Sequence, residues 1–377
     1  MNRDRNPWNK LDDEMVETVL AQLPTLDIFC CQFVCKRWNS IVHSPTFPIA
    51  SQQLFDRRPW FIIFNKAPPA CVVYDMEVFD WRPRFKLLLP AEIRGKPCRP
   101  AVASAGLLCF SSATTCSLIV CNPFTGLVRL LPRMRTRTNT NGSGIAMYVS
   151  PGSKNYKVFV AFGKWPKMRM KVFSSGKKKA SWMELSMRLL KDEYGEWSLW
   201  DKGVTVMGNE GKVLVYYLTL NGILVCFDTQ KGTIFLCPRL LEREHIFTMD
   251  LVECGGRVFI VVLMEAIESS FSTTRTLHVW EFDNKKAEWE HIAAMPPNMS
   301  QDYYDVGTLI TCSGQGNYIM VCVNSIIDDT YFNHVVIYNI KKNTWVELST
   351  CFDNFDGDDH IKVLCPYAFK PEMEAKV

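Results

Sequence analysis

The sequence contains few histidines and no long apolar run, and both shortages limit what the protein can do. Its six histidines in 377 residues include no His-x-x-x-His or His-Glu-x-x-His spacing, so nothing predicts a catalytic metal site. The longest nearly continuous apolar stretch, Val258 to Ile267, is about half of what a helix needs to cross a bilayer. We therefore expect no membrane association, no bound metal and no other cofactor.

Three further shortages narrow the class of protein. The first residues, Met1 to Trp8, carry charges but no apolar segment, so no secretory signal is expected. The 43 Lys and Arg against 39 Asp and Glu leave a net charge of +4, which is too small to favour nucleic acid as a partner. The 15 cysteines are odd in number and scattered, unlike a disulfide framework. We expect reduced thiols and a location in the cytoplasm, the nucleus or both.

Motifs for nucleotide binding and hydrolysis are also missing, because no Gly-x-x-x-x-Gly-Lys-Ser/Thr, Gly-x-Gly-x-x-Gly or Gly-x-Ser-x-Gly stretch occurs. The acidic segment Asp353 to Asp359 lacks the ligand spacing of a calcium loop and is interpreted as a solvated loop. A zinc site built from Cys30, Cys31, Cys35 and His43 is disfavoured, because Cys30 belongs to an apolar stripe.

The N-terminal residues, from about Trp8 to Phe47, have the periodicity of three short helices. Asp12 is placed to cap the first helix and Thr25 the second. A unit this small presents apolar side chains on more than one face, so it needs a partner. The apolar positions at helical spacing are Met15, Val16, Val19, Leu20 and Leu23, then Leu26, Phe29, Cys30, Phe33 and Val34, then Trp38, Ile41 and Val42.

These helices also carry a recognisable motif. The segment Val34-Cys35-Lys36-Arg37-Trp38-Asn39-Ser40-Ile41, followed by Ser44-Pro45-Thr46-Phe47, resembles an F-box. One departure is Asp12, where many F-boxes have proline after the leucine. The resemblance implies docking to the Skp-type adaptor of a Skp–cullin–F-box (SCF) ubiquitin ligase and, through the adaptor, to the cullin. The residues that would supply the apolar contact or its support are Leu11, Leu20, Leu23, Pro24, Leu26, Val34, Cys35, Trp38 and Ile41.

The rest of the chain repeats. An apolar or aromatic residue precedes Asp, Asn or Ser, and a bulky residue follows after a turn; successive copies lie 47 to 56 residues apart. A glycine followed by an apolar run lies upstream of most copies, so each repeat contains several β-strands. The six copies are Tyr74-Asp75 to Trp81, Cys121-Asn122 to Val128, Phe173-Ser174 to Trp182, Phe227-Asp228 to Ile234, Phe282-Asp283 to Trp289, and Tyr338-Asn339 to Trp345.

A period of this length, with several strands per unit, is typical of propeller blades. We expect a small all-α F-box head over residues 1–50 and an all-β propeller of six blades over residues 51–377. A strand at Ile361 to Cys365 is placed to complete the blade that Trp60 to Phe64 opens. The body resembles the kelch-type propeller of plant F-box/kelch-repeat proteins through Cys254-Gly255-Gly256, Trp289 and Trp345. Only one copy has the diglycine, which leaves seven blades as the alternative.

Two loops of the body are candidates for binding a target protein. The first is basic and contains Arg133, Arg135 and Arg137, although a solvated loop is the simpler interpretation. The second contains Trp197 and Trp200, which would suit either an interface or the interior of a blade.

Together, a head that needs a partner and a rigid body indicate an adaptor rather than an enzyme. We expect the substrate-recognition subunit of an SCF-type ubiquitin ligase, with the F-box docked on the Skp-type adaptor and the propeller holding a target for ubiquitination. The alternatives are a non-degradative scaffold or transcriptional co-regulator with a vestigial F-box and, more remotely, a copper-dependent propeller oxidase.

Overall fold

A computed structural model describes residues 7–54, 58–65, 71–82, 91, 98–112, 117–134, 144–151, 155–163, 168–177, 181–189, 199–208, 211–219, 221–240, 246–265, 275–300, 308–327, 330–349, 363–372 and 375–377. The chain divides into two compact units: Met1–Trp60 with Tyr74–Trp81, and Phe61–Val73 with Arg82–Val377. Within the described ranges, no helix is both long and apolar enough to span a membrane.

The first unit is helical. After a 3-10 turn at Pro7–Lys10, it contains α1 (Asp13–Ala21), α2 (Thr25–Cys31), α3 (Lys36–Val42) and α4 (Phe47–Leu54). The three predicted helices are present, and Asp12 caps α1 as predicted, its Oδ1 accepting the Met15 N–H at 2.7 Å. The fourth helix was not predicted. The Ser44 hydroxyl oxygen accepts the N–H of Phe47 at 3.1 Å, so the segment predicted to end α3 also begins α4.

Two details of the second helix differ from the prediction. The helix ends at Cys31, before the last residues of the predicted apolar stripe. The side chains that it buries are Ile28 and Cys31, which do not belong to that stripe, whereas Cys30, which does, is exposed. Thr25 does not cap the helix: the N-cap position is Pro24, which has no side-chain cap. The core of the unit comprises Val16, Leu20, Ala21, Ile28, Cys31, Ile41, Val42 and Phe47.

The body consists of β-strands, as predicted. Apolar and β-branched residues alternate with short turns along it, which favours antiparallel meanders. The strands are β1 Trp60–Asn65, β2 Cys71–Asp75, β3 Asp80–Trp81, β4 Cys98–Ser104, β5 Leu107–Ser112, β6 Leu118–Cys121, β7 Val128–Leu130, β8 Gly144–Val149, β9 Tyr156–Phe162, β10 Arg169–Ser174, β11 Met183–Leu185, β12 Arg188–Leu189, β13 Leu199–Met207, β14 Val213–Thr219, β15 Leu224–Asp228, β16 Thr233–Leu236, β17 Ile246–Cys254, β18 Arg257–Glu265, β19 Arg275–Asp283, β20 Glu288–Ala294, β21 Leu309–Gln315, β22 Tyr318–Ile327, β23 Thr330–Asn339, β24 Thr344–Leu348 and β25 Leu364–Phe369.

These strands form six four-stranded meanders within the described ranges. Four are separate sheets, in the orders β25-β1-β2-β3, β4-β5-β6-β7, β17-β18-β19-β20 and β21-β22-β23-β24. The other two, β8 to β11 and β13 to β16, join into one nine-stranded sheet that includes β12. Their junction is a single parallel pair, Lys202 with Ile145. The predicted repeat therefore corresponds to one meander.

The predicted repeat residues lie at the hairpin between the third and fourth strands of each meander. The aromatic or apolar residue pairs directly with the bulky residue that follows the turn, as in Phe282 with Trp289 and Tyr338 with Trp345. In the third copy, whose turn is longer, the rings of Phe173 and Trp182 still lie 5.7 Å apart. The pairing explains why a bulky residue recurs at a fixed distance.

In five of the six copies the residue after the aromatic or apolar one is Asp or Asn, and its side chain stabilises the hairpin turn. Asp283 Oδ1 accepts the N–H groups of Lys285 and Lys286 at 2.7 and 3.2 Å, and Asp228 does the same for Gln230 and Lys231. The residue four positions later has positive φ in five copies: Phe79, Gly126, Gly232, Ala287 and Asn343. Side-chain acceptors and left-handed backbone are the usual chemistry of such turns.

One strand of each meander lies at its inner edge: β4, β8, β13, β17, β21 and β25, called the inner strands below. Each inner strand contacts the next, and β25 contacts both β21 and β4, so the series closes on itself. The C-terminal strand lies beside β1, as predicted, although it runs from Leu364 to Phe369. Side chains secure it: Ser313 Oγ accepts the Ala368 N–H at 2.7 Å, and the Tyr367 hydroxyl donates to the Pro100 carbonyl at 2.9 Å.

The cysteines of the body are packing residues. All cysteines in the described ranges are free thiols, as predicted. Most of those at or beside strand positions are buried, although Cys71 and Cys365 are half-buried. Burial raises the pKa of Cys109 and of Cys226 to about 12. Such thiols stay protonated at neutral pH and behave as small apolar side chains. The predicted members of this set, all buried, are Cys109, Cys121, Cys226, Cys254, Cys312 and Cys322.

Candidate functional site

One face of α1 is apolar and uncovered within the helical unit. Met15 and Val19, one helical turn apart, are 56% and 41% exposed. With Leu11 and Thr18 they line a shallow groove of about 510 Å³. Large apolar side chains that share one helix face in this way usually mark an interaction surface.

The turn after α2 exposes even more apolar surface. Phe33 is 74% exposed and Val34 is 63% exposed, and the Phe33 ring packs edge-on against Phe29, with ring centroids 5.4 Å apart. On α4, Ile49 is 60% exposed. We call Met15, Val19, Phe33, Val34 and Ile49 the apolar surface of the head. Its members lie on three different segments of a very small unit.

Arg37 joins α3 to the start of α1, the helix that carries Met15 and Val19. Its guanidinium donates to the carbonyls of Trp8 and Leu11 at 2.9 and 2.6 Å, and to Asp13 Oδ1 at 2.7 Å. Because one planar guanidinium donates to three acceptors, it fixes α3 against the start of α1. Arg37 lies inside the predicted motif but was not among the predicted site residues. Its neighbours in sequence gave no signal of this role, since the acceptors are mainly backbone carbonyls.

The two motif residues beside Arg37 have structural roles. Cys35 is the N-cap of α3, and its Sγ accepts the N–H of Trp38 at 3.5 Å. The Trp38 ring packs edge-on against Trp8, with ring centroids 4.9 Å apart. Both residues therefore stabilise the N-terminal turn of α3.

The start of α2 is capped by a distant carboxylate. Glu77 accepts both the backbone N–H and the hydroxyl of Thr25, at 2.7 and 2.8 Å. A negative charge at a helix N-terminus is favourable, because it pairs with free N–H groups and with the helix dipole. The sequence pattern predicted Thr25 as the cap, whereas Glu77 lies 52 residues away and leaves no local signal in the sequence.

The predicted adaptor-binding residues fall into three groups by exposure. Val34 and Cys35 are exposed, and Leu20 and Ile41 are buried in the core, so the latter two act as support and not as contact. The prediction omitted Met15, Val19, Phe33 and Ile49 as contacts, although the first three belong to the predicted apolar stripes. The half-buried group is Leu11, Leu23, Pro24, Leu26 and Trp38.

The predicted target-binding loops are only partly described. Arg133 is exposed and follows β7. Trp200 lies in the first part of β13. Arg135, Arg137 and Trp197 lie outside the described residues, as does the acidic segment Asp353 to Asp359.

Burial shifts the pKa of two titratable side chains, one in the head and one in the body. In the described part of the chain, no group of three His, Cys, Asp or Glu side chains is arranged to hold a metal ion. In the head, burial and then the Asp27 carboxylate raise the pKa of the Cys31 thiol. Burial, and then the neighbouring His291, lower the pKa of His278 to about 4, so His278 is neutral at pH 7.

Comparison with known proteins agrees with this division into head and body. Residues 8–49 match the family model described as F-box domain, and residues 85–364 match that described as F-box associated beta propeller domain. Neither description is that of a catalytic family.

Plant relatives align along much of the chain. F-box only protein 13 of Arabidopsis thaliana is 29% identical over 98% of this chain and 86% of its own length. SKP1-interacting partner 15 of the same plant is 23% identical over 80% of this chain and 84% of its own. An Arabidopsis F-box/kelch-repeat protein is 33% identical, but only over 32% of this chain and 29% of its own. The chain belongs to the family of plant F-box proteins with an F-box associated β-propeller domain.

Proposed function

We propose that this protein is the substrate-recognition subunit of an SCF-type ubiquitin ligase, in which the F-box docks on a Skp-type adaptor and the propeller binds the target. The observation that carries the proposal is the apolar surface of the head. Its five side chains are exposed, although the same unit buries a core of its own. The F-box match and the Skp-interacting relative support the identity of the adaptor.

The energetics favour a partner on this surface. Fully covering an aromatic or aliphatic side chain contributes roughly 1.5–3 kcal/mol, so Phe33 and Val34 alone could supply several kcal/mol on docking. The caps of α1 and α3 and the Arg37 bonds are intact, which supports a functional F-box over a vestigial one.

The body is suited to hold a target. We propose a propeller of six blades, kelch-type, closed by β25; the six meanders and the contacts between inner strands support the count. The kelch assignment is supported by Gly255 of the diglycine. Its φ is positive, and a Cβ at this position would lie 2.8 Å from the Gly316 carbonyl oxygen of the next meander, so only glycine fits. A rigid platform of this kind raises the effective concentration of the target beside the ubiquitin-charged enzyme.

The docking assignment is tested by placing a charge on the apolar surface. Phe33→Asp changes a largely exposed side chain, so the fold should survive while docking loses about 2 kcal/mol or more, roughly a 30-fold drop in affinity. The measurement is the affinity of the purified full chain for the Skp-type adaptor. Val346→Asp, at a position on β24 that is 53% exposed, is the matched control. Equal affinity of the Phe33→Asp variant and the wild type would refute the assignment.

The scaffold alternative is separated by the fate of bound partners. If the protein directs degradation, proteins that co-purify with the wild-type chain should accumulate in cells on proteasome inhibition, and accumulate without inhibitor in cells expressing only Phe33→Asp. Partner levels that respond to neither change would favour the scaffold.

A further inference from the structure

A cavity lies where the inner strands meet. Its volume is about 300 Å³, and every one of the six inner strands contributes to its wall. The wall is mixed, with glycines and apolar residues between polar ones. The polar residues of the wall include Ser104, Lys202, Glu253, Ser313, Gln315 and Tyr367.

Several of these groups are already used to join neighbouring strands. Lys202 Nζ donates to Asp250 Oδ2 at 2.6 Å and to the Cys312 carbonyl at 2.7 Å. Ser313 and Tyr367 hold β25 in place, as described above. Because these bonds connect β13, β17, β21, β25 and β4, they belong to the wall and leave little capacity for a ligand.

Glu253 differs from the other charged residues of the cavity. Its Oε1 accepts one backbone N–H, that of Gly256, at 2.8 Å, and no cation pairs with it among the residues that the structure describes. Burial raises the pKa of this carboxyl, which is the effect expected where no positive charge compensates the loss of water. Since Asp250 neutralises Lys202, the charge of Glu253 is in excess. A cation entering the cavity would restore balance.

The size of the cavity limits the ligand. A volume of about 300 Å³ is at the lower end of pockets that hold small molecules. It accommodates one long side chain better than a folded element or a cofactor. Arginine and lysine combine a thin aliphatic stem with a cationic head, which suits a pocket whose mixed wall includes a single uncompensated carboxylate.

We propose that the cavity between the inner strands binds one arginine or lysine side chain of the target protein, with Glu253 as its counter-ion. The proposal rests on the proposed function, in that it assumes that the propeller holds the target. It assigns a different place from the predicted loops. The cavity is lined by the C-terminal ends of β4, β17 and β21, whereas the loops with Arg133 and Trp197 lead into the N-terminal ends of β8 and β13.

The test uses the purified full chain and two short probes: acetyl-Gly-Arg-Gly-amide, and the same peptide with citrulline, which keeps the shape of arginine but has no charge. Isothermal titration or ligand-observed NMR should show millimolar binding of the arginine probe and at least fivefold weaker binding of the citrulline probe. Glu253→Gln, which keeps an acceptor for Gly256, should reduce arginine binding to the citrulline level. Glu290→Gln, on the exposed side of β20, should change nothing.

A second variant approaches the cavity from another strand. Ser104→Phe places a large side chain in the cavity wall and leaves Glu253 unsubstituted, so it should abolish binding of the arginine probe. The proposal is overturned if the two probes bind equally, if the arginine probe fails to bind the wild type, or if either Glu253→Gln or Ser104→Phe fails to weaken its binding. Spermidine carries ammonium groups without a peptide, and its binding more tightly than the arginine probe would also overturn the assignment to a target side chain.

Failure of this proposal is distinguishable from failure of the ligase role. Phe33→Asp should leave the affinity for the arginine probe unchanged, and Glu253→Gln should leave the affinity for the Skp-type adaptor unchanged. If Phe33→Asp retains the adaptor, the ligase role fails while the cavity result stands. If Glu253→Gln retains the arginine probe, the cavity proposal fails while the ligase role stands.

Discussion

Replacing Arg37 by lysine should loosen the head without changing its charge. Lysine has a single nitrogen, so it cannot reach acceptors on Trp8, Leu11 and Asp13 at once, as the guanidinium does. The comparison between the two side chains therefore isolates the geometry of the fork. We expect α1 and α3 to separate from each other more often in Arg37→Lys than in the wild type.

The magnitude follows from the bonds that are lost. A hydrogen bond to a charged group contributes roughly 1.5–3 kcal/mol, and lysine loses at least one of the two bonds to carbonyls. The Arg37 side chain is 33% exposed, so water replaces part of this contribution. We expect a loss of about 2 kcal/mol in the local free energy of opening, which corresponds to roughly a 30-fold rise in the open population.

Native-state hydrogen exchange of the full chain measures this opening directly, because the amides of Asp13–Ala21 and Lys36–Val42 report on α1 and α3. Asp13→Asn is the matched control. The Asp13 side chain is 74% exposed, so removing its charge should cost at most about 0.5 kcal/mol. Exchange in Arg37→Lys at the wild-type rate, or an Asp13→Asn effect as large as that of Arg37→Lys, would show that the fork does not hold the head together.

Three further predictions concern the body. Ala287→Gly should stabilise the protein by about 0.5–1 kcal/mol in denaturant titrations, because Ala287 is exposed and has φ +55°, where glycine avoids a steric cost; a destabilised variant would contradict this. Trp289→Phe loses the Nε1–H bond to the Pro238 carbonyl, whereas Trp345 Nε1 is buried and has no partner among the described residues, so Trp289→Phe should cost about 1 kcal/mol more than Trp345→Phe; equal costs would contradict this expectation. Between pH 6.5 and 4 the unfolded state binds a proton that folded His278 does not, because its pKa is lowered to about 4. The free energy of unfolding should therefore decrease as the pH is lowered from 6.5 to 4, and it should decrease less steeply in His278→Asn. Identical slopes in the two proteins would refute the lowered pKa of His278.

The features that the sequence predicted are those with local causes. Asp228 and Asp283 accept N–H groups two and three residues ahead, so the turn chemistry appears in the sequence as a short motif. The partner across the hairpin, such as Trp289 for Phe282, follows at a fixed distance for the same reason. A repeat of local motifs was enough to predict the strands and their arrangement in meanders.

The features that the sequence did not predict depend on distant residues or on a partner. Glu77 caps α2 from 52 residues away, and Arg37 binds carbonyls that any residue type would provide. The stripe of α2 was predicted from apolar periodicity, which shows which face avoids water and not whether the same chain or another protein covers it. Phe33 and Val34 satisfy the pattern of a core while remaining exposed.

Because β25 is synthesised last, β1 lacks one of its neighbours for much of the time during which the chain is made. A ribosome adds about 5–20 residues per second. Strand β1 ends at Asn65 and β25, its neighbour on one side, begins at Leu364, so β1 is made roughly 15 to 60 s before β25. During that time the Trp-Phe-Ile-Ile-Phe edge of β1 has unpaired backbone groups and apolar side chains that are later buried. The nascent chain therefore needs protection from aggregation, and a premature stop at any codon before Leu364 yields a product with this edge permanently open.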